Sequence, residues 1–287
     1  MTDDPGARLR RHVEGDEVTV LPGAYDALSA RIAAERFPAV FTSGFGLSAT
    51  TLGLPDMGFL DMRENLDRVR PIAAAIDVPL VADLDTGYGN ALNVRRTVGE
   101  AMDAGVAGGI LEDQMWPKRC GHMDEKRVVP AEEHATRIRA AADECDDRDG
   151  DFVIVGRTDA REPHGLDEAI DRGRRYADAG ADVVFVEAPE SRDELERVAA
   201  AFERPSFANM IEGGKTPYLP GDALEAMGFG VVVYPLSGLF GATRVLEEVY
   251  GALDEEGDVS SVATASFDEF DDVIDADRYR DMARRYD

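Results

Sequence analysis

Eight short apolar runs, separated by helix-compatible segments, constrain the fold of this chain more than any other feature. Several of the segments end at a glycine, as Ala179-Gly180 and Met227-Gly228 do, which is the expected stop for a helix. The runs occupy residues 18–21, 39–42, 79–82, 109–111, 152–155, 183–186, 206–208 and 231–233. Strands that alternate with helices favour a parallel sheet. Eight of them in about 230 residues favour a closed (β/α)8 TIM barrel over an open sheet.

The 287-residue chain is expected to have two parts. Residues 1–253 are predicted to form the barrel, which would be the catalytic domain. Residues 254–287 are predicted to form an acidic C-terminal helical extension, with a helix from Ala276 to Tyr286. Hydrophobic residues make up 44% of the chain, which is ample for a core and argues against wholesale disorder.

The net charge is −27, which argues against nucleic acid or an anionic membrane as the main partner because phosphates would be repelled. The basic residues are also unusual, since Lys118, Lys126 and Lys215 are the only lysines among 31 lysines and arginines. An acidic surface with few lysines suits a cytosol of very high salt, where carboxylates keep water bound and screening mutes their repulsion. We therefore expect a halophilic protein.

The sequence favours a soluble cytoplasmic protein. Two cysteines, Cys120 and Cys145, do not make a disulfide framework and fit a reducing compartment. The stretch Met1–Asp4 is acidic and lacks the apolar core of a signal peptide. The longest apolar run, from about Val231 to Leu236, has the length of a strand rather than of a membrane span.

Polar residues follow most of the apolar runs. Active sites of (β/α)8 barrels lie at the C-terminal ends of the strands, so these residues are expected to converge. They include carboxylates, an arginine and an amide, which random loops would not be expected to supply at matching positions. They are Ser43, Gly44, Asp83, Asp85, Glu112, Arg157, Asp159, Glu187 and Asn209. We therefore expect an enzyme.

Three of these carboxylates predict a metal site. Asp83 and Asp85 are two residues apart and would face the same way on a regular strand. Two carboxylates that close repel each other unless a proton or a cation lies between them. With Glu112 from the next strand, the set is all-oxygen and acidic, which suits Mg²⁺ or Mn²⁺ better than Zn²⁺. The alternative is a pair of solvated loop aspartates.

The stretch Glu112–His122 follows the fourth run and holds carboxylates, a lysine, an arginine, a thiol and an imidazole. A cation and an imidazole beside Cys120 would favour the thiolate or make the thiol a usable proton donor. The alternative is an ordinary polar loop with an inert cysteine. We call residues 118–122 the lid. Cys145, at a helix end among aspartates, is expected to be structural.

Arg157 suits bidentate capture of a substrate carboxylate, and its alternative is a salt bridge to a barrel aspartate. Glu187 is a candidate base or supporting residue, and Asn209 a neutral hydrogen-bond donor. The stretch 212–217 is expected to be a mobile loop able to cover a small anion. The remaining histidines, His12, His134 and His164, are expected in exposed segments and have no assigned role.

The strand-end residues resemble those of the isocitrate lyase/phosphoenolpyruvate mutase superfamily across residues 18–253. The lid, Lys118-Arg119-Cys120-Gly121-His122, is similar to the 2-methylisocitrate lyase signature, and phosphonate mutases are expected to lack its cysteine. The other matching segments are Leu21-Pro22-Gly23-Ala24, Ser43-Gly44, Leu52-Gly53-Leu54-Pro55-Asp56, Asp83-Leu84-Asp85-Thr86-Gly87-Tyr88-Gly89, Glu112-Asp113-Gln114, Gly156-Arg157-Thr158-Asp159-Ala160 and Glu187-Ala188-Pro189.

The resemblance implies a role for each matching residue. Asp85 would be the principal Mg²⁺ ligand, supported by Asp83 and Glu112, with Asp56 nearby. Cys120 would be the catalytic acid, and Lys118 and Glu187 complete the candidate catalytic set. The residues implied to bind substrate are Ser43, Gly44, Phe45 and Arg157 at its 2-oxyacid end, Gly121 and His122 at its distal carboxylate, and Asn209. The superfamily also implies a homotetramer in which a C-terminal helix swaps between neighbouring barrels.

One segment departs from isocitrate lyase proper. Residues 209–217 are more similar to the branch of 2,3-dimethylmalate lyase and carboxyphosphonoenolpyruvate mutase-like enzymes, which includes broad 2-hydroxydicarboxylate lyases. The chain is also too short for the insertions of longer isocitrate lyases. The expected reaction is therefore Mg²⁺-dependent retro-aldol cleavage of a 2-hydroxy di- or tricarboxylate, such as 2-methylisocitrate, isocitrate or a methylated malate. The products would be pyruvate or glyoxylate and a second carboxylate. The alternatives are an oxaloacetate-type hydrolase, a phosphonate-related mutase, and a non-catalytic barrel that binds 2-oxoacids.

Overall fold

Eight parallel strands close into a barrel in the computed structural model, which describes residues 4–286. Each strand pairs with its neighbour in sequence, and β8 closes on β1 with Val20 opposite Val232. The strands are β1 Thr19–Ala24, β2 Val40–Thr42, β3 Leu80–Asp83, β4 Gly108–Glu112, β5 Val153–Thr158, β6 Val183–Val186, β7 Ser206–Asn209 and β8 Val231–Tyr234. The predicted (β/α)8 barrel is confirmed. Residues 1–3 and 287, which include most of the acidic N-terminal stretch, lie outside the described residues.

The apolar runs form strands because both of their faces are buried, as is usual for parallel sheets. One set of side chains fills the barrel interior, including Leu21, Phe41 and Phe185. The alternate set packs between the sheet and the helices, where Leu80, Ile154 and Val186 lie. The barrel is therefore a filled core, and its strand ends carry the polar residues.

Helices surround the barrel, and their ends follow ordinary capping rules. Asp26, Asp61 and Asn90 each begin a helix with a side chain that accepts a hydrogen bond from the backbone of the third helical residue. The helices are α1 Pro5–Val13, α2 Ala27–Ala34, α3 Gly44–Leu52, α4 Met62–Ala74, α5 Ala91–Asp103, α6 Ala131–Asp147, α7 Arg161–His164, α8 Leu166–Asp178, α9 Arg192–Ala199, α10 Gly221–Glu225, α11 Ser237–Glu255, α12 Phe267–Val273 and α13 Ala276–Ala283. None of them is long and apolar enough to cross a membrane.

The C-terminal part contains α12 and α13 after the long helix α11. The predicted helix from Ala276 is present and ends at Ala283. Arg31 of α2 donates from Nε to the carbonyl of Val273 at 2.7 Å, so the extension contacts its own barrel. By contrast, α11 exposes large apolar side chains along its length. The division into residues 1–253 and 254–287 stays a prediction.

The prediction that His134 is exposed is wrong. This residue is completely buried on α6, where its Nε2 lies 3.2 Å from the carbonyl of Leu111 and its ring lies 4.6 Å from the ring of Tyr176. Burial, with a smaller contribution from the Arg137 guanidinium, lowers the pKa of His134 to about 3. The folded protein therefore keeps a neutral imidazole at this position in mildly acidic solution.

We expect His134 to make the protein less stable as the pH falls below about 6.5, the ordinary pKa of histidine. From there down to its folded pKa of about 3, the unfolded chain binds a proton that the folded chain does not. This costs about 1.4 kcal/mol per pH unit. The variant His134→Gln keeps an amide donor for Leu111 and lacks the titration. Urea unfolding at a series of pH values gives the free energy of unfolding of both proteins. Between about pH 6.5 and 3, the difference in favour of the natural protein should shrink by about 1.4 kcal/mol for each unit that the pH falls. A difference that stays constant would refute the explanation.

Candidate active site

The polar strand ends meet at one small cavity of about 40 Å³. Its wall is polar on one side, where Asp56, Asp83, Arg157 and Glu187 lie, and apolar on the other. The remaining lining residues are Phe41, Ser43, Phe45, Ile110, Cys120, Gly121, His122, Phe185, Phe207, Asn209, Ile211, Val233, Pro235 and Leu236. Ten of the predicted site residues line this cavity. The other four, Gly44, Asp85, Glu112 and Lys118, do not line it but each contacts a lining residue. The lid packs against Arg157 and Glu187 through Gly121, so it lies in a closed position.

Asp83 fixes the backbone around the site. It ends β3, and its Oδ2 accepts a hydrogen bond from the Gly44 amide at 3.0 Å while its Oδ1 accepts one from the Asp85 amide at 3.1 Å. The premise that Asp83 and Asp85 share a face of one strand is wrong, because Asp85 lies beyond β3 with a φ of 50°. Non-glycine residues rarely adopt this left-handed conformation, and such strain concentrates at functional sites. The turn, rather than strand alternation, brings the two carboxylates together.

The lid contributes a cation to this carboxylate group. Lys118 Nζ lies 2.6 Å from Asp56 Oδ1 and 2.6 Å from Asp85 Oδ1, and all three side chains are buried. Burial would lower the pKa of Lys118, but Asp85 and Asp56 raise it well above its usual value. Burial raises the pKa of Asp85 to about 6, although Lys118 opposes that shift. Lys118 therefore balances part of the negative charge at the end of β3.

The donor set suits a hard divalent cation. Glu112 Oε1 is a buried oxygen without a hydrogen bond, and Asp85 Oδ1 has the Lys118 ammonium as its partner at 2.6 Å. Burial also raises the pKa of Glu112 well above its usual range, against the opposing effect of Arg157. Among residues 4–286, no group of three or more His, Cys, Asp or Glu side chains is arranged as a complete metal cage. Mg²⁺ needs none, because it usually keeps several waters and binds one or two carboxylates. Asp85 and Glu112 would hold it.

Gly44 and Ser43 begin α3, which the sequence did not predict. Ser43 caps the helix by accepting a hydrogen bond from the Gly46 amide, so its hydroxyl already has a partner. A Cβ on Gly44 would lie 2.9 Å from Lys118 Nζ and 3.1 Å from Asp85 Oδ1. A side chain here would therefore displace the Lys118–Asp85 ion pair, and the buried start of the helix faces the carboxylates. Phe45 follows and lines the cavity.

Arg157 lies on β5 and forms a salt bridge to an aspartate two residues later. Its Nε donates to Asp159 Oδ2 at 2.9 Å and its Nη2 to Asp159 Oδ1 at 3.1 Å. The same Nη2 lies 3.1 Å from Glu187 Oε2 and 3.4 Å from Glu112 Oε2. The salt bridge foreseen as the alternative role is therefore present. Arg157 also lines the cavity.

Glu187 is the centre of a second group on the far side of Arg157. His122 Nε2 lies 3.3 Å from its Oε1, and Asn209 Nδ2 lies 3.3 Å from each of its oxygens. Burial would raise the pKa of Glu187, but Arg157 and His122 hold it below its usual range. Glu187 is therefore ionised at neutral pH and positions His122 and Asn209 around the cavity.

The predicted covering loop also contacts the lid. The Lys215 amide donates to His122 Nδ1 at 2.9 Å, which leaves Nε2 as the nitrogen that carries hydrogen toward Glu187 in the neutral ring. A Cβ on Gly214 would lie 2.6 Å from His122 Nδ1, so the loop approaches the ring closely. Residues 212–217 thus support the lid from outside.

Cys120 lines the cavity as a protonated thiol. Burial, followed by the negative charge of Asp56, raises its pKa to about 11. Its amide donates to the Asp56 carbonyl at 3.1 Å, which fixes the lid beside the carboxylate group. Of the two sequence-based options, the thiolate is therefore disfavoured and the proton donor is favoured. The cation expected next to the thiol, Arg119, instead extends to Glu125 at 3.0 Å.

Sequence reasoning missed several residues that hold the site together. Tyr88 donates to Asp85 Oδ2 at 3.0 Å, and Asn65 donates to the Tyr88 hydroxyl at 2.7 Å. Asp113 is fully buried at the end of β4 and accepts hydrogen bonds from Thr158, Arg172, Tyr176 and the Asp159 amide. The sequence offered one signal for Asp113, which is a charged residue just after an apolar strand. That signal indicates that Asp113 is buried, but it does not indicate which residues donate hydrogen bonds to it.

The sequence profile of the family described as phosphoenolpyruvate phosphomutase matches residues 9–253. A chloroplastic carboxyvinyl-carboxyphosphonate phosphorylmutase from Arabidopsis thaliana is 45% identical, with 97% of this chain and 84% of that protein covered. A 2,3-dimethylmalate lyase from Eubacterium barkeri is 41% identical, with 98% and 97% covered. A 2-methylisocitrate lyase from Bacillus subtilis is 39% identical, with 89% and 83% covered. These names confirm the prediction of an enzyme.

Solved structures agree with these relatives. An oxaloacetate acetylhydrolase in complex with 3,3-difluorooxalacetate has a TM-score of 0.94 at 34% identity, with 99% of this chain and 98% of that chain covered. A 2,3-dimethylmalate lyase of the PEP mutase/isocitrate lyase superfamily has a TM-score of 0.94 at 32% identity, with 100% and 96% covered. A phosphonopyruvate hydrolase with oxalate and Mg²⁺ has a TM-score of 0.88 at 30% identity, with 99% of both chains covered.

Proposed function

The chain belongs to the phosphoenolpyruvate phosphomutase/isocitrate lyase superfamily, and from this premise we propose that it is a Mg²⁺-dependent carbon–carbon lyase. Its substrate would be a 2-hydroxy di- or tricarboxylate, which it would cleave to pyruvate or glyoxylate and a second carboxylate. One observation carries the proposal: Cys120, a thiol whose pKa is raised to about 11, lines the same cavity as Asp56, Asp83 and Arg157. A mutase that moves a phosphoryl group has no step in which a carbon atom takes up a proton, so it has no use for a proton donor at this position.

When bound, Mg²⁺ would supply Lewis acidity toward the substrate's hydroxyl and carboxylate oxygens. Asp85 and Glu112 would hold it, and Lys118 would keep Asp56 and Asp85 from repelling each other. Arg157 faces the substrate carboxylate, while Gly121, His122 and Asn209 border the rest of the cavity. In the cleavage the substrate hydroxyl would give its proton to Glu187 as the carbonyl forms, and the electron pair of the broken carbon–carbon bond would stay on the neighbouring carbon. That carbon would then take a proton from Cys120, and the proton held by Glu187 would return through water to the thiolate left behind. The closed lid excludes bulk water during this step.

A substrate panel tests the proposal. The purified protein is given 2-methylisocitrate, isocitrate, 2,3-dimethylmalate and oxaloacetate with Mg²⁺ at low and high salt, and release of a 2-oxoacid is followed. We expect cleavage of at least one 2-hydroxy acid and loss of cleavage with EDTA. Turnover of none of them would favour the non-catalytic 2-oxoacid-binding barrel. The apolar wall can discriminate a methyl group by only about 1–3 kcal/mol, so more than one substrate can react.

Oxaloacetate hydrolysis is the second candidate function. The similarity to an oxaloacetate acetylhydrolase, at a TM-score of 0.94, supports it as strongly as the equal similarity to a 2,3-dimethylmalate lyase supports the lyase. Hydrolysis adds water across the carbon–carbon bond and yields two acids without a 2-oxoacid. The same panel separates the two activities, because oxaloacetate would then be the substrate consumed and no pyruvate or glyoxylate would form.

The exposed face of α11 supports the proposal of a helix-swapped homotetramer. Val245, Leu246, Tyr250 and Leu253 are 46%, 49%, 64% and 46% exposed, which is unusual for apolar residues along one helix. Beside the start of α11 lies a mostly apolar groove of about 710 Å³ between α2 and β8, lined by side chains such as Ile32 and Tyr234. A second copy of α11 would bury both surfaces.

We expect light scattering to give a mass of four chains of 31.2 kDa each. The double variant Leu246→Glu/Tyr250→Glu would place charges in the buried contact and reduce the mass to that of smaller species. A matched pair, Glu247→Gln/Glu248→Gln, changes neighbouring charged positions and should keep the assembly. A natural protein that is monomeric at micromolar concentration would contradict the assembly proposal.

A further inference from the structure

All three lysines of this arginine-rich chain lie in the lid or contact it. Lys118 belongs to the lid and meets Asp85. Lys126 Nζ donates to the carbonyl of Gly121 at 2.6 Å. The Lys215 backbone amide donates to His122, and its ammonium pairs with Asp124 at 2.5 Å. The chain has 31 lysines and arginines, and only these three are lysines. The compact ammonium group of lysine is therefore found only in the lid or at residues that contact it.

Lys126 is the one whose function the reaction does not explain. Its side chain is completely buried, and its ammonium lies 3.1 Å from Asp159 Oδ1 and 3.8 Å from Glu162 Oε2. Burial would lower the pKa of Lys126, but Asp159 raises it above its usual value, so the side chain stays charged. A buried ammonium without partners would be strongly destabilising, and here the partners belong to the lid, to the end of β5 and to α7.

Asp159 connects this ammonium to the substrate-facing arginine. Its Oδ1 accepts hydrogen bonds from both Lys126 Nζ and Arg157 Nη2. Asp113 holds the Asp159 amide at 2.8 Å, so the carboxylate is fixed from behind. Lys126 therefore joins the lid carbonyl to a rigid group that already positions Arg157.

The contact at Gly121 sets the depth of the closed lid. A Cβ on Gly121 would lie 2.5 Å from Arg157 Nη2 and 2.5 Å from the Glu187 carboxylate, so the glycine backbone rests directly on both. Cys120 precedes this residue. A hydrogen bond that holds the Gly121 carbonyl thus also fixes the thiol over the cavity.

We propose that Lys126 is a positioning residue that latches the lid closed, by holding the Gly121 carbonyl against the Arg157–Asp159 pair. The side chain acts from behind the lid and touches no substrate. The geometry needs a compact ammonium, because a planar guanidinium is wider and directs its donors as a fork. The inference rests on the proposed function only in taking Cys120 as the group that the lid delivers.

Cys120 is half-buried when the lid is closed, so its alkylation by iodoacetamide has a baseline rate that opening of the lid raises. The assay needs no substrate. We expect Lys126→Met to raise this rate by about 10- to 100-fold, the factor that corresponds to loss of a charge-assisted hydrogen bond. Lys126→Arg should not restore protection. The matched control Lys215→Met removes an exposed pair and keeps the backbone contact to His122, so the rate should change less than about fivefold. Mass spectrometry assigns the label to Cys120 rather than to Cys145.

The alkylation rate is measured over a range of pH to separate two causes of a faster reaction. A change in the pKa of the thiol would shift the rate profile along the pH axis, whereas greater exposure of the thiol would raise the rate at every pH. Equal rates in the natural protein and in Lys126→Met would overturn the latch. If that variant lacks a cooperative unfolding transition, Lys126→Gln, which keeps a donor but no charge, takes its place with the same criterion. Failure of the natural protein to cleave any substrate would refute the lyase while leaving this result intact.

Discussion

Replacing Cys120 with serine is expected to lower kcat by about 10²- to 10⁴-fold, the range for losing a positioned general acid. Serine keeps the size of the side chain, but its hydroxyl is a far weaker acid than the thiol, whose pKa is raised only to about 11. The binding of Mg²⁺ and pyruvate should persist, because Asp85, Glu112 and Arg157 are unchanged. Steady-state kinetics and calorimetric titration measure the two effects separately.

The matched control for this variant is Cys145→Ser. Cys145 is buried on α6, away from the cavity, and its thiol has no place in the reaction. We expect the kcat of this control to equal that of the natural protein even if its stability falls. Full activity of Cys120→Ser would contradict the assignment of Cys120 as the acid and, with it, the argument that separates a lyase from a mutase.

Replacing Asp85 with asparagine should weaken Mg²⁺ binding more than about 100-fold. Loss of a residue that only supports a metal ligand costs about 10- to 100-fold in metal affinity, and loss of the ligand itself should exceed it. The Asp85 carboxylate has side-chain partners, Lys118 and Tyr88, whereas both Asp83 oxygens accept a hydrogen bond from a backbone amide. Titration of Mg²⁺ with the substrate absent measures the affinity without relying on turnover.

The comparison variant is Asp83→Asn, which changes the same functional group two residues away. Because Asp83 holds Gly44 and Asp85 in place, we expect a loss within about 10- to 100-fold rather than beyond it. If Asp83→Asn lowered the affinity for Mg²⁺ more than Asp85→Asn did, Asp83 would be the principal ligand. Circular dichroism confirms that both variants are folded before they are compared.

The strands were predictable because their signal is local. A run such as Val183–Val186 is apolar on both faces, which in a short segment favours a parallel strand, and the structure begins and ends β6 at those residues. Helix α3 was missed because its sequence, Gly44–Leu52, contains two glycines and no charge pattern. Its start is fixed instead by the Ser43 cap and by the contact of Gly44 with Asp83.

The site was predictable as a set of strand ends but not as a network. The position of Asp85 depends on a left-handed turn that strand periodicity does not contain. Lys126 meets Asp159 from 33 residues away, a contact that the sequence does not show, and through Asp159 it is joined to Arg157. Burial of His134 was missed for the same reason, since Leu111 and Tyr176 cover it from other elements.

The measurement that tests the central claim most directly is product analysis of the cleavage in D₂O with Mg²⁺. If Cys120 donates the proton after the carbon–carbon bond breaks, each turnover should yield one 2-oxoacid and one second carboxylate that carries a single deuterium at the former bond. NMR and mass spectrometry of the products give both the ratio and the position. Products without a 2-oxoacid, or a carboxylate without deuterium at that carbon, would contradict a retro-aldol lyase.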